Sequence, residues 1–181
     1  LRDMIYRGIE PNEASYNATI ISLGEGGDCA NAILLFREMK LRGLWPSVVT
    51  YNAAIHEFGR HQQWKTALEL FQEISADGLD PDETSYNAII SALGKAGQLQ
   101  MAIALCREME GNGLDLSVIT YSALLIGCEM ERQFKMTATF LEEMKCNEIQ
   151  PNAVCYNVSI RTYAKANQWK EATKLLNEMK N

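Results

Sequence analysis

The chain has 181 residues, 47% of them apolar, and a net charge of −6 with a pI near 5.0. That apolar share is the mark of a folded chain rather than a disordered one, no apolar run approaches the ~20 residues of a membrane-spanning helix, and the overall basic character of a strong nucleic-acid binder is missing. Five cysteines, odd in number and without CxxC spacing, argue against a disulfide framework or zinc site and for reduced thiols in small apolar positions, so no cofactor is expected.

The order of elements follows a ruler of 35 residues. Pro11, Pro46, Pro81 and Pro151 fall on it, with Leu116 at the one mark without proline, and Tyr16, Tyr51, Tyr86, Tyr121 and Tyr156 keep the same step without a gap. A period of roughly 20–50 residues marks a stack of units, none of which can bury its apolar face alone. Residues 1–12 read as the tail of a preceding unit, complete units follow at 13–47, 48–82, 83–117 and 118–152, and a truncated one occupies 153–181. Because stacked units cut internally expose apolar faces, further units or partner contacts are expected at both ends. No signal peptide is visible.

Unit 13–47 places Tyr16 and Ile20 on its first predicted helix and Cys29, Ala32 and Met39 on its second. Unit 48–82 has the fullest pattern. Tyr51, Ile55 and Phe58 stand at i, i+4 and i+7 of a helical stretch, Gly59 and the polar run 60–63 predict a turn, and Trp64, Ala67, Leu68, Leu70 and Phe71 form the stripe of a second helix. Gly78 tolerates the left-handed conformation that ends a helix. Pro81 cannot continue one, and it pushes Asp80 toward extended geometry. Unit 83–117 repeats the columns as Tyr86, Ile90, Leu99, Ala102 and Met109, and unit 118–152 as Tyr121, Leu125, Phe134, Thr137 and Met144. The truncated unit supplies Tyr156, Ile160, Trp169, Ala172 and Met179. The always-apolar column Cys29, Trp64, Leu99, Phe134 and Trp169 is expected in the core. The fold class expected is all-α: an α-solenoid of stacked antiparallel helix pairs, ten helices or nearly so, forming a right-handed superhelix with the first helices on the concave side.

No unit shows the Trp-x2-Leu-Gly-x2-Tyr opening of the 34-residue tetratricopeptide pattern. What recurs is Ser-Tyr-Asn-Ala (15–18 and 85–88), Thr-Tyr-Asn-Ala (50–53), Thr-Tyr-Ser-Ala (120–123) and Cys-Tyr-Asn-Val (155–158). Later in the units come Leu-Phe-Arg-Glu-Met (35–39), Leu-Phe-Gln-Glu-Ile (70–74) and Leu-Cys-Arg-Glu-Met (105–109), then Gly-Leu-Trp-Pro-Ser (43–47), Gly-Leu-Asp-Pro-Asp (78–82) and Glu-Ile-Gln-Pro-Asn (148–152). Along its whole length the chain resembles the pentatricopeptide repeat family, in its 35-residue P-class form. Leu116, Thr137 and Glu148 are local departures, in place of proline, alanine and glycine.

The resemblance implies modular binding of single-stranded RNA, one base per repeat. The base is read by the fifth and last residues of each unit: here Asn17 with Ser47, Asn52 with Asp82, Asn87 with Ser117, Ser122 with Asn152, and Asn157 with a partner beyond Asn181. All are small hydrogen-bonding side chains; the alternative reading is that such residues near helix starts only cap them. Family pairings imply the order 5′-C-U-C-A-3′ followed by a pyrimidine. Val49, Ile119 and Val154 match the family's apolar wedge between bases, whereas Ala14 and Thr84 fit it poorly. Arg60, Lys95 and Lys165 match its phosphate-contacting position, which Glu25 and Met130 occupy in the other units. The first helices carry no net positive charge, so binding by these units is expected to be weak and base-dependent.

The resemblance also implies a place in RNA processing, stability or translation in a mitochondrion or chloroplast. The competing expectation is a protein-interaction scaffold within a larger organellar complex, fed by the acidic balance and by Trp45, which lies in a turn and is either a partner anchor or a ring folded on the nearby helix end. Catalysis is not expected: the only histidines, His56 and His61, share one unit without a recurring carboxylate or cysteine pair.

Overall fold

A computed structural model of the chain describes residues 4 and 6–179. Residues 1–3 and 5 of the expected partial unit 1–12, and 180–181 of the truncated unit 153–181, lie outside the described residues. Ten helices, and no strand, are found among the described residues: α1 Glu13–Glu25, α2 Cys29–Leu41, α3 Val48–Arg60, α4 Trp64–Ala76, α5 Glu83–Lys95, α6 Leu99–Gly111, α7 Val118–Met130, α8 Phe134–Cys146, α9 Ala153–Lys165 and α10 Trp169–Glu178. This is the all-α repeat class expected from the tyrosine column and the two apolar stripes per unit.

The 35-residue ruler is visible in the backbone. Left-handed residues recur after each first helix at Gly27, Gln62, Gly97, Arg132 and Asn167, and after α2, α4, α6 and α8 at Gly43, Gly78, Gly113 and Glu148, with Gly8 on the same mark before α1 and φ between 57° and 78° throughout. The residue that follows donates its N–H back to the helix: Leu44 to the Met39 carbonyl at 3.1 Å, Leu79 to Ile74 at 3.0 Å, Ile149 to Met144 at 2.8 Å. This double closure of the last turn satisfies carbonyls that a helix end leaves open. Glu148 therefore keeps the turn that glycine makes elsewhere, in a conformation that crowds its Cβ.

The structure divides into two compact units, residues up to Ile89 and residues from Ile90 onward. In the first, α1 packs on α2 and α3, and α3 packs on α4. Tyr16, Tyr51, Ile20, Ile55, Ala32, Ala67, Met39 and Ile74 are all buried there. In the second, α7 packs against α6, α8 and α9, and α9 against α10, with Tyr121, Leu125, Ala102, Met109 and Met144 buried. Thr137 takes the small-residue place in α8 by turning its hydroxyl onto the Gln133 carbonyl at 3.3 Å. At Gly94 the approach is close enough that a Cβ would stand 2.3 Å from the Ala123 carbonyl oxygen.

In the tyrosine column the hydroxyls of Tyr16, Tyr51 and Tyr121 are used. Tyr51 packs edge-on against Phe36, ring centroids 5.0 Å apart, and donates to the Asp77 carboxylate just past α4. Lys40 joins both, 2.7 Å from Asp77 and 3.2 Å from the phenol oxygen. Burial first, then the bond to Asp77, pushes the Tyr51 phenol up to about 12. Tyr121 accepts from the Asn147 amide at 3.1 Å, one residue past α8, while Tyr16 donates to Glu38 at 3.3 Å.

One expected core column is corrected at its end. Cys29 and Leu99 are buried and Trp64 and Phe134 half-buried, but Trp169 is 67% exposed. Leu99 is covered by α7, where it lies against Gly127; no described helix follows α10 to cover Trp169. Met179, expected to close the second helix of this pair, is exposed, and Tyr156 and Ile160 are only half-buried, for the same reason. All five cysteines are free, four of them buried and Cys146 exposed.

Glu148→Gly is expected to stabilise the chain by about 0.5–1 kcal/mol, the relief of a crowded left-handed residue less the extra backbone freedom of glycine when unfolded. A higher denaturant midpoint for the variant checks this; an unchanged or lower one contradicts it.

Candidate nucleic-acid interface

The residues at the unit boundaries are brought together by a common problem, the unpaired N–H groups at the start of each first helix. Asn12, Ser47, Asp82, Ser117 and Asn152 each precede such a helix, so the last-position column is also the capping column. Asn12 accepts from the Ser15 N–H at 3.0 Å, Asp82 from Ser85 at 2.8 Å, and Asn152 from Cys155 at 3.0 Å. Ser117 instead donates its own N–H to the Thr120 hydroxyl at 3.2 Å. Ser47 uses a residue from far back in the chain: its N–H donates to the Glu13 carboxylate at 3.3 Å, as does the Thr50 hydroxyl at 3.1 Å.

The fifth-position residues lie one helical turn from these caps. The pair Asn52 and Asp82 is in direct contact, the Asn52 amide donating to Asp82 Oδ1 at 3.0 Å, while Ser85 Oγ donates to Asn52 Oδ1 at 2.6 Å. Capping and pairing thus coincide in one carboxylate. Burial opposes its ionisation, but the Ser85 N–H, the Asn52 amide and the Ser85 hydroxyl outweigh that and hold Asp82 below the usual carboxylate range. Asn52 is only 8% exposed, so what it offers a ligand is a rigidly held edge. Asn17 is half-buried with an unpartnered, buried Oδ1. Asn87 is half-buried and gives its amide to Glu83 at 3.3 Å. Ser122 donates to the Val118 carbonyl of its own helix at 2.6 Å and lies 3.2 Å from Cys155 Sγ, the residue that Asn152 caps. Asn157 is exposed.

The wedge residues Val49, Ile119 and Val154 are 70%, 57% and 47% exposed, a large apolar exposure for helical positions. Ala14 and Thr84 occupy the same exposed column.

The basic positions are differently placed. Arg60 is bound to the buried Glu57 at 3.1 Å, and Lys165 to Glu129 at 2.9 Å. Glu129 is also held by Arg161 through two bonds of 2.8 and 2.9 Å. Lys95 is exposed with no ion-pair partner among the described residues. Sequence reading missed Glu129 and Glu13, whose partners lie about one period away along the chain; opposite charges or donor–acceptor pairs offset by one unit are the signal that finds them. Among the described residues no group of histidine, cysteine or carboxylate side chains is placed to hold a metal ion. An open cleft of about 380 Å³ between α6 and α8, floored by Tyr121 and Leu124, contains none of the boundary residues.

Comparison with known families places repeat models along the chain: "PPR repeat family" at residues 46–93 and 81–130, "Pentatricopeptide repeat domain" at 1–61, and "PPR repeat" at 147–180. No curated protein sequence matches. Among solved structures, the pentatricopeptide repeat protein PPR10 from maize is 23% identical with a TM-score of 0.82, covering 99% of this chain and 26% of its own. PPR10 in complex with an 18-nt psaJ RNA element is 22% identical, TM-score 0.84, with 98% and 26% covered. The PPR domain of Arabidopsis thaliana protein-only RNase P 1 in complex with tRNA is 16% identical, TM-score 0.76, with 92% and 88% covered. At these identities the likeness establishes the fold, and the chain spans about a quarter of the length of the PPR10 chains.

The Arg161 guanidinium, aided by Lys165 against the effect of burial, holds the Glu129 carboxyl below its usual range. A depressed carboxylate contributes stability above the unfolded value, about 4.3, and loses it as pH falls through the lower folded value. Glu129→Gln is therefore expected to lower stability at pH 7 and to match the parent near pH 2–3. Denaturation midpoints at both pH values check this; an equal deficit at both contradicts it.

Proposed function

Since the chain belongs to the pentatricopeptide repeat family, we propose that it is a single-stranded RNA-binding module that reads one base per unit, with unit boundaries as the sequence implies at 13–47, 48–82, 83–117 and 118–152. The observation that carries the reading is the Asn52–Asp82 pair. Its members are 30 residues apart in the chain, yet an amide donor and a carboxylate acceptor are locked 3.0 Å apart, the arrangement a base edge needs from a reader. The exposed Val49, Ile119 and Val154 supply apolar surface on which successive bases stack. That the relatives of known structure include proteins solved with RNA elements and tRNA supports the same reading.

The residue pairs taken alone give 5′-C-U-C-A-3′ followed by a pyrimidine at Asn157. Phosphate contacts contribute little, because Arg60 and Lys165 are engaged with Glu57 and Glu129 and only Lys95 stands unpaired among the three. Each base contact is worth about 1–3 kcal/mol by analogy with direct readout in DNA, so discrimination rather than tight binding is the property of these units. Its place is RNA processing, stability or translation in a mitochondrion or chloroplast.

A second reading, a scaffold for other proteins of an organellar complex, is favoured by Trp45, which is 69% exposed in the turn before α3. The two readings part at the fourth base. Ser122→Asn, with Asn152 intact, is expected to move preference there from adenine to a pyrimidine, measured with short RNA oligomers varied at one position. Equal binding of all four bases by parent and variant removes the RNA reading and leaves the scaffold.

A further inference from the structure

The pairs Asn17–Ser47 and Asn52–Asp82 differ in sequence, serine against aspartate, but their surroundings are nearly the same. In unit 48–82 the Asp82 carboxylate accepts from the Asn52 amide at 3.0 Å and from the Ser85 hydroxyl at 2.9 Å. One period earlier, Thr50 stands where Ser85 does and Ser47 where Asp82 does. The carboxylate is again present, but it comes from Glu13: its Oε1 accepts from the Ser47 N–H at 3.3 Å and the Thr50 hydroxyl at 3.1 Å. The Ser47 side chain, then the Thr50 hydroxyl, the Ser47 N–H and the Asn17 amide hold that carboxyl below its usual range despite burial. One carboxylate thus holds the Ser47 backbone and the Thr50 hydroxyl, and the Ser47 hydroxyl lies 3.3 Å from that same Thr50 oxygen.

The first residue of the unit carries the same signal elsewhere. Glu83 opens unit 83–117, whose last residue is again Ser117, and it accepts from the Asn87 amide at 3.3 Å. The units that end in aspartate or asparagine open instead with Val48 and Val118. A carboxylate therefore accepts from the fifth-position asparagine at Asn52, from the unit's last residue, and at Asn87, from its first, while in the first unit the carboxylate of Glu13 holds the boundary residues Ser47 and Thr50.

We propose that Glu13 and Glu83 are specificity-determining residues that convert the first and third units from cytosine to uracil readers, so that the chain prefers 5′-U-U-U-A-3′. The inference rests on the RNA-reading function proposed above. Its chemistry is the difference at pyrimidine N3, an N–H in uracil and a lone pair in cytosine. A carboxylate can only accept, so beside the reading amide it is satisfied by uracil and repelled by cytosine, whereas a free serine hydroxyl donates to the cytosine lone pair.

The test is the affinity of the chain for single-stranded 5′-U-U-U-A-3′ and 5′-C-U-C-A-3′ embedded in the same flanks. The parent is expected to favour the first by about tenfold or more. Glu13→Gln should shift preference at the first base alone toward cytosine and Glu83→Gln at the third alone, and Ser47→Asp added to Glu13→Gln should restore uracil at the first. A parent that binds 5′-C-U-C-A-3′ as well or better overturns the proposal while leaving the RNA reading intact. So do variants that tighten on both oligomers equally, since that is only the loss of a negative charge. Absence of discrimination at all four positions overturns the RNA reading itself. The parent comparison needs no variant, so a poorly folded substitution leaves the test decisive.

Discussion

Every helix that opens a unit begins with N–H groups that its own hydrogen bonding cannot reach, and the structure depends on how those groups are answered. The answer comes from the boundary residue, and at Ser47 it comes partly from the Glu13 carboxylate a full unit away. One contact therefore caps α3, ties it to α1 and places polar atoms side by side. Stacking, register and candidate readout are consequences of the same few atoms. That is why capping and reading are not competing explanations for Asp82: the bond that stops α5 from fraying also holds the amide of Asn52.

Electrostatics shape the face further. Two of the three basic side chains that match the family's phosphate position are neutralised within the fold, Arg60 by Glu57 and Lys165 by Glu129. Each pair sets a half-exposed basic side chain against a largely buried carboxylate, which removes free positive charge from the surface that would attract phosphates. With sequence-independent attraction weakened, whatever selectivity the boundary pairs possess makes up a larger share of the binding energy.

Much of this was legible in the sequence because repetition multiplies weak signals. One tyrosine predicts nothing, whereas five at a step of 35 residues, with prolines on the same ruler, predict paired helices and their phase. Gly78 announced a left-handed turn, yet Gln62, Arg132 and Asn167 adopt the same conformation without announcing it, because the closure of the helix end outweighs the cost to a side chain. Trp169 looked like a core residue from its column and is exposed, since burial in a stack is supplied by the next pair and not by the residue itself. Contacts offset by about one period, such as Glu13 with Thr50 and Glu129 with Arg161, escaped a column-by-column reading, which compares equivalent positions and not adjacent ones.

The most direct measurement is the salt dependence of binding to single-stranded RNA oligomers of matched and mismatched sequence, with a duplex of the same length as control. If the boundary pairs read bases, the matched strand binds better than the mismatched one, the duplex does not bind, and log K falls with log salt only as steeply as one or two phosphate contacts require, about −0.7 for each. Equal binding of matched and mismatched strands, or a duplex bound as well as a single strand, would contradict readout by these residues.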